Sequence, residues 1–147
     1  LIQRIKGLTV GSFYTVYFFF RELDSFFAIR IGGHPQFVRP LVQPMGQAAA
    51  ELQLGRKLTE QESEALKARA AANDNFANFF AQNTFVGAGG VLLVGGTLAQ
   101  LGYDSKYAGS ASASLIVAGV ALLVVVIYNY LFDKKLLANK LSKGKEE

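Results

Sequence analysis

From residue 111 to residue 132 the chain runs 22 residues without a charged side chain, and 115–127 is Leu, Ile, Val and Ala broken by a single Gly. A helix of that length spans about 33 Å, enough for a bilayer core of about 30 Å. Tyr128 and Tyr130 close the stretch as interfacial aromatics would, and Asp133-Lys134-Lys135 stop it. Helices buried inside soluble domains rarely keep so long an uncharged run. A lipid bilayer is therefore the first partner expected for this chain.

A second uncharged run, 84–101, carries Gly87, Gly89, Gly90, Gly95 and Gly96. Glycine costs a helix in water about 1 kcal/mol, but between membrane helices it permits close approach. Ala88, Gly95 and Gly102 recur every seven residues, and Ser110, Ser114 and Ala118 give the last helix a similar small face. With a linker of only 102–109, the two runs read as an antiparallel membrane hairpin. The third apolar block, 8–20, holds Phe13, Tyr14, Tyr17, Phe18, Phe19 and Phe20 and is too short to span alone. Either the helix continues with Arg21, Glu22 and Asp24 inside a bundle, or it breaks there. Arg21 and Asp24 are three apart and can pair on one face.

The reading is all-α: a polytopic helical membrane protein with a broken or re-entrant helix near 32–45. Five segments follow: an aromatic membrane helix over 1–31, a Gly/Pro-interrupted stretch over 32–57, a cytoplasmic or interfacial helix over 58–75, a membrane hairpin over 76–132 and a basic tail over 133–147. In 58–75, Thr59-x-x-Glu62 is a capping box, with Glu60, Glu62 and Glu64 early and Lys67 and Arg69 late, as the helix dipole favours. The tail holds Lys134, Lys135, Lys140, Lys143 and Lys145, whereas the linker holds only Lys106. The positive-inside rule puts the tail in the cytoplasm. The absence of an initiating Met, Met45 being the sole methionine, leads us to expect further chain before Leu1.

Composition removes several functions. There is no Cys and one His, so thiol catalysis and Cys-based zinc sites are out, and neither metal nor cofactor is expected. No GxGxxG, Walker loop, HExxH or GxSxG is present, and the chain is not read as an enzyme. The net charge of +4 resides largely in the membrane-flanking lysines, not on a basic face with interleaved aromatics, which argues against nucleic acid.

Two polar stretches carry the candidate site. In the first, Gly32 and Gly33 let backbone approach a ligand. His34-Pro35 can open a helix whose N-terminus attracts an anion, and Arg39 lies one turn on; the alternative is a plain turn. Pro40 and Pro44 make a long regular helix difficult here. In the second, Asn73, Asp74, Asn75 and Asn78 alternate with aromatics. Amides can read both a donor and an acceptor, and Asp74 can hold a cation or proton, or cap the helix that follows.

The block Gly-Gly-His-Pro-Gln-Phe-Val-Arg-Pro-Leu-Val-Gln-Pro-Met at 32–45, the Arg4-Ile5-Lys6-Gly7 before the aromatic block, Gln47-Ala48-Ala49-Ala50-Glu51 and the stretch 70–85 together resemble a family of small bacterial inner-membrane proteins. That family began as a domain of unknown function, and its members are often named as one subunit of a two-component 5-oxoproline transporter. The resemblance covers most of the chain, apart from the family's N-terminal hydrophobic part. Gln82-Asn83 stand where the family pattern has a Gly-Glu pair, which puts ion coupling through that acid in question. The resemblance implies a permease subunit in the bacterial inner membrane, a second membrane-embedded subunit and a small carboxylate substrate. On that footing His34-Pro35 and Arg39 would hold the carboxylate, Asn73, Asn75 and Asn78 the lactam amide, and Asp74 or His34 a coupling proton or cation. The competing expectation is a non-transporting scaffold that stabilises a partner permease.

Overall fold

The computed structural model describes residues 9–27, 34–82, 84, 87–103 and 107–143. Every regular element among them is helical. Helix α1 is Val10–Phe26, a π-helical segment covers His34–Val42, and α2 (Gln43–Leu54), α3 (Glu60–Ala81), α4 (Gly89–Gln100) and α5 (Tyr107–Lys143) follow.

Helix α1 starts where Thr9 accepts a hydrogen bond from the Ser12 amide. It does not break at its charged residues. Val10, Tyr14, Phe18, Arg21 and Asp24 recur at helical spacing and are all buried, so the charges share the face that carries the core. Phe19, Phe20, Leu23 and Phe26 point outward.

The stretch 34–54 is helical throughout and changes pitch at its middle. Pro40 lies inside the π segment. Proline has no N–H to give an α-helical bond, and its ring collides with the carbonyl four residues back. The wider π turn makes room for the ring; the missing donor stays missing. Pro44 falls in the first turn of α2, where no donor is missed. Helix α2 ends at Gly55, whose φ of 70° is a left-handed cap that glycine adopts without strain.

Helix α3 opens on the expected capping box. Thr59 Oγ1 accepts from the Glu62 amide at 3.3 Å and Glu62 accepts from the Thr59 amide at 2.9 Å. Arg56 grips the same carboxylate with two bonds of 2.8 Å and, with the cap amides, holds it well down, at about 2. The helix then runs on through Asn73–Asp74–Asn75 to Ala81. Asp74 is therefore in mid-helix and caps nothing, and residues 75 and 76 belong to one continuous helix.

Helix α4 has 12 residues, about 18 Å, shorter than its uncharged run. It packs against α5, burying Val91 and Gly95, while α5 buries Ala111, Ala118 and Ala121. Gly102, at φ 81°, turns the chain out of it. Helix α5 is 37 residues long and passes through Asp133-Lys134-Lys135 without ending. Its segment Ala111–Ala138 is long and apolar enough to cross a membrane; it is the one such segment among the described residues. Only 17% of its most apolar window is buried, which is unlike the core helix of a soluble protein.

Helices α1, α3 and α5 pack mutually. Gly11 meets Asp133, Thr15 meets Asn129 and Phe18 meets Val125, so α1 and α5 are antiparallel. Tyr14 meets Leu66 and Ser25 meets Asn78, so α1 and α3 run parallel. Helix α2 closes the end where α1 and α3 begin: the Val10 amide donates to Gln53 at 3.0 Å and Gln47 to Ser63 at 2.7 Å. Around it Tyr14, Val38, Val42, Ala50, Leu66 and Leu136 form the main core.

Candidate functional site

Polar side chains are buried where the three long helices meet. Arg21 of α1 donates from Nη1 to Asp24 at 2.7 Å and from Nε to Asp74 of α3 at 2.8 Å. The Tyr17 hydroxyl donates to the same Asp74 oxygen at 2.5 Å. Both Arg21–carboxylate pairs are more than nine-tenths buried. One guanidinium thus ties an acid on its own helix to an acid on a second. The group lies one turn from the Phe18–Ala77–Val125 cluster, level with the middle of the apolar stretch of α5. Ser25 extends it outward, donating to Asp24 at 3.3 Å and Asn78 at 3.2 Å. Tyr17 also stacks on Phe37 of the π segment, with centroids 6.2 Å apart, so that segment lies beside the group.

A turn away sits an uncharged pair. Asn129 of α5 donates to Asn73 of α3 at 2.9 Å and Asn73 donates back at 3.3 Å. Asn73 also donates to the Arg69 carbonyl at 2.9 Å, and Asn129 to Thr15 at 3.2 Å. Three helices are joined by two amides, each using donor and acceptor. Nearer the tail, Asp133 accepts from the Gly11 amide at 2.8 Å. The approach is so close that a Cβ on Gly11 would lie 2.5 Å from the Asn129 carbonyl and from Asp133.

The structure divides the residues expected to form the site. Asn73 and Asp74 are at its centre. Asn78 is exposed at its edge, and Asn75 is exposed on the same helix. Arg39 is exposed on the π segment and is not among the partners of Arg21, Asp24 or Asp74 that the ion pairs show. Gly32 and Gly33 lie outside the described residues. His34 and Pro35 open the π segment, and their side chains lie outside the described set. The Arg21–Asp24 pair has the spacing that the sequence implies. Thr15, Tyr17 and Asn129 were not singled out from sequence. Asn129 had a visible signal, an amide alone in an apolar run. Among the described residues no three His, Asp or Glu side chains gather as a metal site would need.

These features define an all-helical protein with one helix of membrane-crossing length and a buried ionic group beside it. The chain belongs to the family described as "Protein of unknown function (DUF969)", whose model matches residues 1–137. No curated protein and no solved structure matches it.

Proposed function

We propose that the chain is a polytopic membrane protein and one subunit of a secondary transporter for a small organic anion, with 5-oxoproline the substrate that the family resemblance implies. The observation that carries this reading is the Arg21–Asp24–Asp74 group. Charges at the depth of a bilayer are costly, are held in pairs facing the bundle interior, and mark ion and substrate paths. Exposed apolar side chains on α1, α4 and α5 support a lipid-facing surface around that group.

In this mechanism a substrate carboxylate competes with Asp74 for the Arg21 guanidinium, the bidentate-capable cation of the site. The acid so displaced then takes up a proton or cation, which couples the two movements. Asn78, which accepts from Ser25 beside the group, and Asn73, next to Asp74 on α3, are the amides that would read a lactam N–H and C=O, Asn73 by giving up its bond to Asn129. The carboxylate anchor moves from Arg39, which is exposed, to Arg21. Nothing in the mechanism breaks a covalent bond, so no enzymatic role is assigned. The lysine-rich end of α5 faces the cytoplasm of the bacterial inner membrane, and a second membrane-embedded subunit completes the transporter.

The test is saturable binding of radiolabelled 5-oxoproline to the purified two-subunit complex. Loss on Arg21→Gln with retention on Arg39→Ala supports the site. A scaffold role is the competing reading, favoured by how fully the buried layer pairs within itself. Undiminished binding by the second subunit without this chain would establish the scaffold and refute the site.

A further inference from the structure

A groove of about 850 Å³ lies between α3 and α5, lined by no residue of α1. Its two ends differ. Toward the start of α3 it is polar, bounded by Glu62 and by Lys135 of α5. Deeper in, the walls are Ala65 and Ala68 on one side and Phe132 on the other. Arg69 lines its inner end, past Ala65 and Ala68 and level with Tyr128, and is 6% exposed. Its guanidinium lies over the Tyr128 ring at 3.7 Å and the Phe132 ring at 4.4 Å, and Nη2 donates to the Tyr128 carbonyl at 3.3 Å. Nη1 is buried with no hydrogen-bond partner. Among the described residues no carboxylate lies within ion-pair distance of Arg69. Asp133, on the same stretch of α5, is turned toward α1 and takes the Gly11 amide. Glu62 is held by Arg56 through two bonds, so it leaves little net negative charge at the polar end.

We propose that this groove binds an anionic phospholipid, its phosphate at Lys135 within the field of Arg69 and its acyl chain along Ala65, Ala68 and Phe132. The proposal rests on the reading of α5 as a membrane-crossing helix. Three observations converge on that occupant. The groove flanks the charged end of the apolar span, where Lys134 and Lys135 follow Tyr128 and Tyr130, so its polar end falls at headgroup level. Among the described residues the cation on its wall is paired with two rings and one carbonyl and with no carboxylate, and an anion in the groove would complete its field. The apolar wall of Ala65, Ala68 and Phe132 next to the polar end suits an amphiphile, not a free anion. The volume takes a glycerophosphate headgroup and the upper part of its chains.

The experiment is native mass spectrometry of the full-length protein in mild detergent, titrated with phosphatidylglycerol or with phosphatidylcholine of the same chains. The expected result is preferential retention of phosphatidylglycerol. Lys135→Gln should weaken that retention about fivefold, the effect of one basic side chain near a lipid surface. Ala68→Phe fills the groove from an exposed position without disturbing the core and should abolish retention. Arg69→Gln should remove the preference, and it is read only if its helical melting matches the parent; the other two variants decide the matter if it does not. Equal retention of the two lipids, or phosphatidylglycerol retained undiminished by Ala68→Phe, overturns the proposal. Displacement of the lipid by equimolar inorganic phosphate overturns the lipid as occupant in favour of a free anion. An alkaline carbonate wash of native membranes separates the two levels. Release of the chain overturns the membrane reading and this proposal together, whereas retention without lipid preference overturns this proposal alone.

Discussion

The two ends of α5 keep different company. From Tyr128 to Leu136 one face of the helix packs on α1 and α3, and polar pairs cross both interfaces: Asp133 to Gly11, Asn129 to Asn73 and Thr15, Arg69 to Tyr128. From Ala111 to Ala121 it meets chiefly α4, through small residues, and Leu115, Ile116, Val117 and Val120 remain exposed. A Cβ added at Gly96 or Gly119 would meet nothing, whereas one at Gly11 or Gly46 would collide with a neighbouring helix. The packed end is specified by directional bonds and close fit. The open end has few such bonds, and the described residues leave its apolar side chains uncovered.

Substitutions that probe this difference should rank accordingly, measured as thermal unfolding of the detergent-solubilised protein. Arg21→Ala leaves Asp24 and Asp74 without their shared cation and should cost about 3–5 kcal/mol, the loss of a buried pair's partner. A melting point unmoved by that change would mean that water reaches the acids. Gly11→Ala should cost about 1–3 kcal/mol, because the backbones of α1 and α5 must separate to admit the methyl. Glu62→Gln should cost about 1 kcal/mol, since a cap bond weakens and an ion pair is lost at a partly exposed helix start. The sign of the pH effect follows from the depressed carboxyl. Its contribution is whole above about pH 5, where the unfolded carboxylate is already ionised, and fades as the pH falls toward 2. Glu62→Gln should flatten the stability profile in that window alone. Leu93→Ala, on the outward face of α4, should change stability by less than about 0.5 kcal/mol. A loss of 2 kcal/mol there would show that α4 is covered within the single chain, and the contrast between the two ends would fail.

Much of the helix plan was legible because it is written locally. Thr59 and Glu62 announce the start of α3, and the apolar run announces α5. Asn73, Asp74 and Asn75 misled for a physical reason. Such residues prefer caps and turns because their side chains compete for the backbone. Here burial against α1 and α5 gives Asn73 and Asp74 better partners, and the helix continues through them. The π segment was hidden because proline spacing says that an α-helix fails without saying which wider turn replaces it. The site was half legible. Arg21–Asp24 and Asp74 stand out as ionisable groups near apolar blocks, but only tertiary packing tells which acid meets which cation. Asn129 was passed over because an amide alone in a long apolar run leaves that run's hydropathy almost unchanged.

The central claim is that the buried ionic group carries substrate and does not merely hold α1 to α3. Removing every charge of the group at once separates these roles, because a neutral, hydrogen-bonding layer keeps the helices together while offering no anchor. The measurement is uptake of radiolabelled 5-oxoproline by proteoliposomes holding the two-subunit complex with Arg21→Gln, Asp24→Asn and Asp74→Asn combined. The expected result is a complex that assembles and melts as the parent does, with uptake at background. Uptake at the parent's rate by that assembled complex would contradict the account.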